Sequence, residues 1–241
     1  MIRSCALLVL LALAACRPYQ RPDPLPGFPP LVLWAWERPE NLSYLVPSAT
    51  GVAYLIATVL IIDSQISIRP RMQPLVVPPG TALLAVVRIE DRGHGASVQA
   101  ISNAIADLTD YTRFRGLQID YDAPKSRRDF YRDILLALRT RLPQNVPLEM
   151  TALVSWCQDD RWFRGAPIVE AVPMFFRMGV DPHSPRESLK EPLCQSSFGL
   201  STDEFYIPVP RVRRVFVFSR HPWTESSYRA ILQASKKWFA N

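Results

Sequence analysis

Short, continuous apolar segments recur along this chain of 241 residues, separated by polar stretches. Strands that are buried on both faces of a parallel sheet have this pattern, whereas strands with one wet face alternate apolar and polar residues. The pattern therefore predicts a largely parallel sheet with both faces covered. The eight predicted strands are Leu31–Glu37, Val52–Leu60, Ala82–Glu90, Leu117–Asp122, Leu148–Trp156, Ala171–Met178, Ser197–Ser201 and Val215–Ser219.

Amphipathic segments lie between some of these strands. Apolar residues keep helical spacing over 98–108 and 130–142, and a third helix is predicted after Thr224. Interleaved strands and helices predict an α/β fold, a degenerate or incomplete (β/α)8 TIM-type barrel. It is degenerate because 61–71 has the pattern of a hairpin return and 180–196 that of a long loop. A doubly wound open sheet is the alternative.

The beginning of the chain predicts export. Arg3 and an apolar run precede two alanines and Cys16, as in a secretory signal peptide of residues 1–15. The ending Leu-Ala-Ala-Cys resembles the lipobox of bacterial lipoproteins, which implies that Cys16 is the lipidation site. An ordinary secretory signal is the alternative. A Pro-rich tether over 16–30 then leads to a single domain over 31–241.

The residue after Cys16 predicts where the protein is anchored, and the compartment predicts the state of its other cysteines. Arginine rather than aspartate after Cys16 resembles lipoproteins of the outer membrane, so the expected site is the periplasmic face of that membrane. In an oxidising compartment, Cys157 and Cys194 are expected to form a disulfide. A nucleophilic role for Cys157 is the alternative, but no histidine signal lies near it.

Several classes of function are excluded by what the sequence lacks. The net charge of +6 comes from scattered basic residues, without the motifs of a nucleic-acid-binding module. The three histidines have no metal-ligand spacing, and glycine-rich phosphate loops are absent. We therefore expect no metal, no cofactor and no nucleic acid. The membrane is an expected partner through the lipid anchor.

The strand Leu117–Asp122 carries the most informative polar residues. Gln118, Asp120 and Asp122 share one face, because side chains of a strand alternate. Neighbours on that face lie about 7 Å apart, a separation at which paired carboxylates cleave glycosidic bonds. Asp120 and Asp122 are therefore the predicted catalytic residues.

Other predicted site residues lie near the carboxyl ends of the strands, where barrels of this type have their active sites. The predicted substrate-binding residues are Gln118, Trp36, Glu37, Trp156, Arg177 and Trp223. Flat aromatic faces and carboxylates together are typical of carbohydrate sites. The alternative is that the tryptophans belong to the core and that arginines neutralise the acids.

Two resemblances follow from these residues. Gly116–Asp122 (GLQIDYD) resembles the DGxDxDxE strand of chitinase-type (family 18) glycoside hydrolases. Together with Trp34-x-Trp36-Glu37, 151–157 and 176–179, it also resembles, over most of 31–239, an uncharacterised family of bacterial exported proteins with a domain of unknown function. That family's barrel is distantly similar to the chitinase-type barrel.

The chitinase resemblance implies roles for two residues. Asp122 falls at the position of the general acid, and Asp120 at that of the aspartate that polarises the substrate's acetamido group. Asp122 is one methylene shorter than the glutamate of that family, and Gln118 replaces an aspartate. The expected function is a lipoprotein with a glycoside-hydrolase-like barrel that acts on or recognises a glycan. A non-catalytic lipoprotein that binds a glycan or a protein is the alternative.

Overall fold

The structure is a computed structural model that describes residues 22–108, 113–160, 162–176, 189–204 and 212–239. The strands are β1 (Leu31–Ala35), β2 (Glu40–Asn41), β3 (Thr50–Ile62), β4 (Gln65–Pro70), β5 (Leu75–Val76), β6 (Leu83–Asp91), β7 (Leu117–Asp122), β8 (Leu148–Leu153), β9 (Glu170–Met174), β10 (Ser197–Ser201) and β11 (Arg214–Phe218). The helices are α1 (Val98–Leu108), α2 (Arg128–Arg141) and α3 (Glu225–Ser235), with a π-helical turn at Trp156–Asp160 and a 3-10 turn at Pro192–Cys194.

Eight parallel strands form a closed barrel. The order is β1-β11-β10-β9-β8-β7-β6-β3, and β1 pairs in parallel with both β11 and β3. Because β1 has a partner on each edge, the sheet closes, which confirms the predicted barrel and makes the open-sheet alternative wrong. Three α-helices accompany these strands in the described ranges. Outside the ring, β4 returns antiparallel along β3, and β2 pairs with β5.

Both faces of every barrel strand contain buried residues, as the apolar sequence predicts. The interior holds side chains such as Val32, Leu55, Val86 and Phe216, with Leu25 and Phe28 in the same cluster. Two further clusters join the other face of the strands to the helices. The first includes Ile101, Ile105, Ile134 and Leu138 of α1 and α2, and the second includes Tyr228 and Ile231 of α3.

The fifth and sixth barrel strands, β8 and β9, end earlier than predicted, at Leu153 and Met174. After β8 the chain turns into the π-helical segment, whose Cys157 forms a disulfide with Cys194 (Cα–Cα 5.9 Å). Both cysteines are buried, so this bridge ties the loop after β8 to the turn before β10. The sixth predicted strand extends to residues 177 and 178, which lie outside the described residues.

The predicted signal peptide and Cys16 also lie outside the described residues. Within the described ranges, none of the helices has the length and apolar character that crossing a membrane requires.

Candidate functional site

A cleft of about 630 Å³ opens at the carboxyl end of the barrel strands. This volume lies within the range of about 300–1,000 Å³ that is usual for ligand sites. The lining comes from the ends of β1, β6, β7, β8, β9 and β11 and the segments after them. It comprises Trp34, Trp36, Arg88, Asp120, Tyr121, Asp122, Thr151, Leu153, Val154, Ser155, Gln158, Met174, Phe176 and Phe218.

The indole of Trp34 forms the floor of this cleft. It is 3% exposed, and its ring packs against Phe216 with a centroid distance of 5.3 Å. A Cβ atom on Gly199 would lie 2.8 Å from this ring, so only glycine allows the indole to lie there. The Trp34 Nε1–H donates to Oε1 of Gln118 at 2.8 Å.

Gln118 therefore supports the floor from below rather than facing a ligand. Its side chain is fully buried, and its amide also donates to Oε2 of Glu149 at 3.3 Å. The alternation of β7 places Gln118 and Asp120 on the same inner face, as predicted. Gln118 is one step deeper in the barrel, where Trp34 covers it. Its predicted role as a substrate-binding residue has no support in this position.

Asp120 lies at the floor of the cleft with its carboxylate held in place. The Thr151 hydroxyl, from the neighbouring strand β8, donates to Oδ1 of Asp120 at 2.8 Å. Burial raises the pKa of Asp120 above its ordinary value, and the charge of Asp122 adds to the rise. The Thr151 hydrogen bond and the charge of Arg88 act in the opposite direction. A carboxyl group with a raised pKa in an open cleft is suited to proton transfer.

Asp122 lies at the rim and forms an ion pair with Arg88 of β6. Its side chain is 59% exposed, so the pair stands in an open mouth rather than under packed residues. The Arg88 guanidinium also approaches Glu90 (Nε to Oε1 3.6 Å) and the ring of Trp36 (5.9 Å to its centroid). The pair thus offers a ligand both carboxylate acceptors and guanidinium donors.

Aromatic rings form one wall of the cleft. Trp36 meets Phe218 edge-on at a centroid distance of 6.0 Å, and Phe176 stacks on Phe218 at 5.8 Å. Phe176, Phe218 and Thr151 were not among the predicted site residues. Phe176 and Phe218 lie near the carboxyl ends of predicted strands, and this position was the signal by which they could have been found. Thr151 was detectable only through the register of β7 on β8.

A second cleft of about 400 Å³ adjoins the first. The two share Tyr121, Asp122, Thr151, Leu153, Ser155 and Met174 as lining residues. The second cleft is also lined by the loop 123–127, the first residue of α2, Trp156 and Trp162. The rings of Trp156 and Trp162 pack edge-on at a centroid distance of 5.2 Å. Of the tryptophans predicted to bind substrate, Trp36 thus lines the first cleft and Trp156 the second.

Two other predicted substrate-binding residues, Trp223 and Glu37, line neither cleft. Trp223 is 4% exposed, packs in the cluster beside α3, and donates its indole N–H to the backbone oxygen of Trp34. Its predicted role as a sugar platform is therefore inconsistent with its place in the core. Glu37 is exposed but lines neither cleft. Arg177 lies outside the described residues.

No group of histidine, cysteine or carboxylate side chains in the described ranges has an arrangement that would hold a metal ion.

Fold and site together define a class of protein: a closed parallel β-barrel with an acidic and aromatic cleft at the carboxyl ends of its strands. A family model described as a domain of unknown function (DUF3142) matches residues 79–164. This segment runs from before β6 to just after the π-helical turn, so it includes Arg88, Asp120, Asp122 and Trp156. No curated protein and no solved structure matches the chain.

Proposed function

We propose that this protein binds a glycan in the cleft and that Asp120 acts as an acid and base in its cleavage. The observation on which the proposal depends is the Asp120 carboxyl group, which has a raised pKa and lies on the floor of an open, aromatic-walled cleft. Aromatic faces pack against sugar rings, whereas carboxylates bind hydroxyl groups and donate protons to the glycosidic oxygen. Both kinds of group are present within one cleft here.

The geometry supports roles that differ from those implied by the chitinase resemblance. Asp122 is paired with Arg88, so its carboxylate is better suited to binding sugar hydroxyls than to giving up a proton. Asp120, shielded and held by Thr151, is the better proton donor. Of the described residues that line the first cleft, only Asp120 and Asp122 carry a carboxylate. A substrate whose own acetamido group attacks the anomeric carbon needs no additional protein nucleophile. We therefore favour an N-acetylhexosamine at this position.

We further propose that the barrel is a (β/α)8 TIM-type barrel that retains few of its helices. Its eight parallel strands, its closure and its site at the carboxyl ends support this assignment. The acidic strand β7 is the fourth strand of the ring, and the proposed relation to chitinase-type hydrolases rests on its sequence.

An exported, lipid-anchored state completes the proposal. The lipobox-like sequence before Cys16 supports lipidation of that residue, and Arg17 after it supports anchoring in the outer membrane, with the barrel in the periplasm. The buried Cys157–Cys194 disulfide is compatible with an oxidising compartment. Within the predicted tether, Asp23 pairs with Arg214, and Leu25 and Phe28 pack in the interior cluster, so only the residues before them are proposed to separate the barrel from the membrane surface.

A second candidate function is glycan binding without cleavage. The ion pair between Asp122 and Arg88 favours it, because it occupies the carboxylate that the chitinase resemblance identifies with the general acid. The shorter side chain of Asp122 acts in the same direction, since it withdraws the carboxyl group by about 1.5 Å.

Binding and turnover, measured separately, distinguish these functions. Wild type, Asp120→Asn and Asp122→Asn would be tested against N-acetylhexosamine-containing oligosaccharides, by calorimetry for binding and by product analysis for cleavage. We expect Asp120→Asn to keep its affinity and to lose about 100-fold or more in turnover. We expect Asp122→Asn to weaken binding. The control is Glu37→Gln, which changes an exposed carboxylate outside both clefts.

Two results would change the conclusion. Binding by all variants with no turnover by the wild type would favour the non-catalytic function. Absence of binding to every oligosaccharide would show that the proposed function is wrong.

A further inference from the structure

We propose that the second cleft is a neighbouring subsite for an acidic sugar, with Lys125 as the group that binds its carboxylate. This inference rests on the proposed function, because it concerns the unit next to the sugar in the first cleft. The substrate class that it implies is an oligosaccharide in which N-acetylhexosamine alternates with a carboxylated sugar.

The two clefts are placed to hold consecutive sugar units. They share Asp122, Thr151, Leu153 and Ser155 as lining residues, so they lie side by side. Each cleft is also lined by a tryptophan that does not line the other. Trp36 lines only the first cleft, and Trp156 lines only the second. A single sugar ring would use one of these surfaces, whereas a chain of two or more units would use both.

The charges of the second cleft leave one cation available. Arg127 is engaged by Asp91, with Nη1 to Oδ2 at 2.6 Å, and it also donates to a backbone oxygen. Arg128 is paired with Asp160. Lys125 lines the same cleft and is exposed, and the described part of the chain provides no ion-pair partner for it. A ligand in this cleft therefore meets an uncompensated ammonium group.

The first cleft excludes the same acidic unit. Asp120 and Asp122 lie on its floor and rim, and the one guanidinium beside them, Arg88, is already paired with Asp122. A carboxylated sugar there would be repelled by Asp122 and would find no unpaired cation among the described lining residues. Asp122 borders both clefts, so the difference between them is Lys125, which lines only the second. The proposed register therefore has the neutral unit in the first cleft and the acidic unit in the second.

The test compares two oligosaccharides of equal length that differ in charge. A hyaluronan tetrasaccharide alternates N-acetylglucosamine with glucuronate, whereas chitotetraose is neutral throughout. Calorimetry would be performed at low and high salt on wild type, Lys125→Ala and, as a control for loss of an exposed lysine, Lys237→Ala. We expect the wild type to bind the acidic chain more tightly, and high salt to reduce this preference. Lys125→Ala should weaken acidic-chain binding about two- to five-fold and leave chitotetraose binding unchanged.

The other outcomes would overturn the acidic subsite alone or the proposed function with it. Equal affinity for both chains, or an equal effect of Lys125→Ala on both, would overturn the acidic subsite while the proposed glycan function stands. Competition by millimolar inorganic phosphate as effective as that by free glucuronate would show a general anion site and overturn the assignment to a carboxylated sugar. Absence of binding to either chain would overturn both the subsite and the proposed function.

Discussion

Replacing Glu149 by glutamine should change how the stability of the barrel depends on pH. Glu149 is fully buried, accepts a hydrogen bond from Gln118, and is the register partner of Glu170 on β9, which is also buried. Arg214 lies 3.8 Å from Glu170 and also pairs with Asp23 at 3.0 Å. One guanidinium does not balance three carboxylates. Burial and the charge of Glu170 accordingly raise the pKa of Glu149 well above its ordinary value.

The sign and size of the effect follow from proton linkage. The folded protein holds a proton on Glu149 that the unfolded chain releases near its ordinary pKa of 4.5. This contribution is complete below that pH and is lost as the pH rises through the folded pKa. Within the window, the free energy of unfolding falls by about 1.4 kcal/mol per pH unit for one group. In Glu149→Gln the side chain has nearly the same shape and is neutral at every pH, so this loss is removed.

Urea unfolding of wild type and Glu149→Gln, measured between about pH 5 and pH 8, checks the reasoning. The difference in unfolding free energy should grow with pH in favour of the variant and level off above the folded pKa of Glu149. Glu37→Gln is the matched control, since it removes an exposed carboxylate, and its curve should run parallel to that of the wild type. Parallel curves for wild type and Glu149→Gln would refute the argument, because they would mean that folding does not perturb this carboxyl group.

Three further predictions concern the disulfide and the floor of the cleft. Mutating both Cys157 and Cys194 to serine should lower the unfolding free energy by about 4 kcal/mol, because the disulfide restricts the chain entropy of a 37-residue separation in the unfolded state. A wild-type denaturation midpoint that is the same with and without reductant would contradict this prediction. Gly199→Ala should cost about 1–3 kcal/mol and shift the fluorescence of Trp34, because the added Cβ would lie 2.8 Å from its ring; an unaltered spectrum and midpoint would contradict that. Thr151→Val removes the hydrogen bond that lowers the pKa of Asp120, so the pH profile of turnover should move to higher pH. A profile that stays in place or moves to lower pH would contradict the assignment of Asp120.

Much of the fold was predictable because it depends on local pattern. The continuous apolar segments located all eight barrel strands, and β7 and β10 have the predicted bounds. The spacing of apolar residues likewise located α1 and the position of α3 after Thr224, whose side chain caps that helix through the Ser227 N–H at 3.1 Å. These signals can be detected in the sequence because a buried strand or helix needs apolar residues at the positions that face the core.

The site was only partly predictable, because it depends on contacts between residues that are far apart in the chain. Alternation along β7 indicated that Gln118 and Asp120 share a face, but it did not indicate how deep in the barrel each one lies. Trp34 covers the first and leaves the second open. Trp223 has the same residue type as Trp36 and follows a strand end, yet it is part of the core.

The sequence by itself determined the strands, their number and the acidic face of the fourth one, since each of these is a property of consecutive residues. Tertiary structure alone decided that the sheet closes, because closure depends on β1 pairing on both edges with strands that are far apart in the chain. It also decided the chemistry of the two aspartates. Thr151 and Arg88 come from the strands on either side of β7, and only strand register brings a hydroxyl to Asp120 and a guanidinium to Asp122.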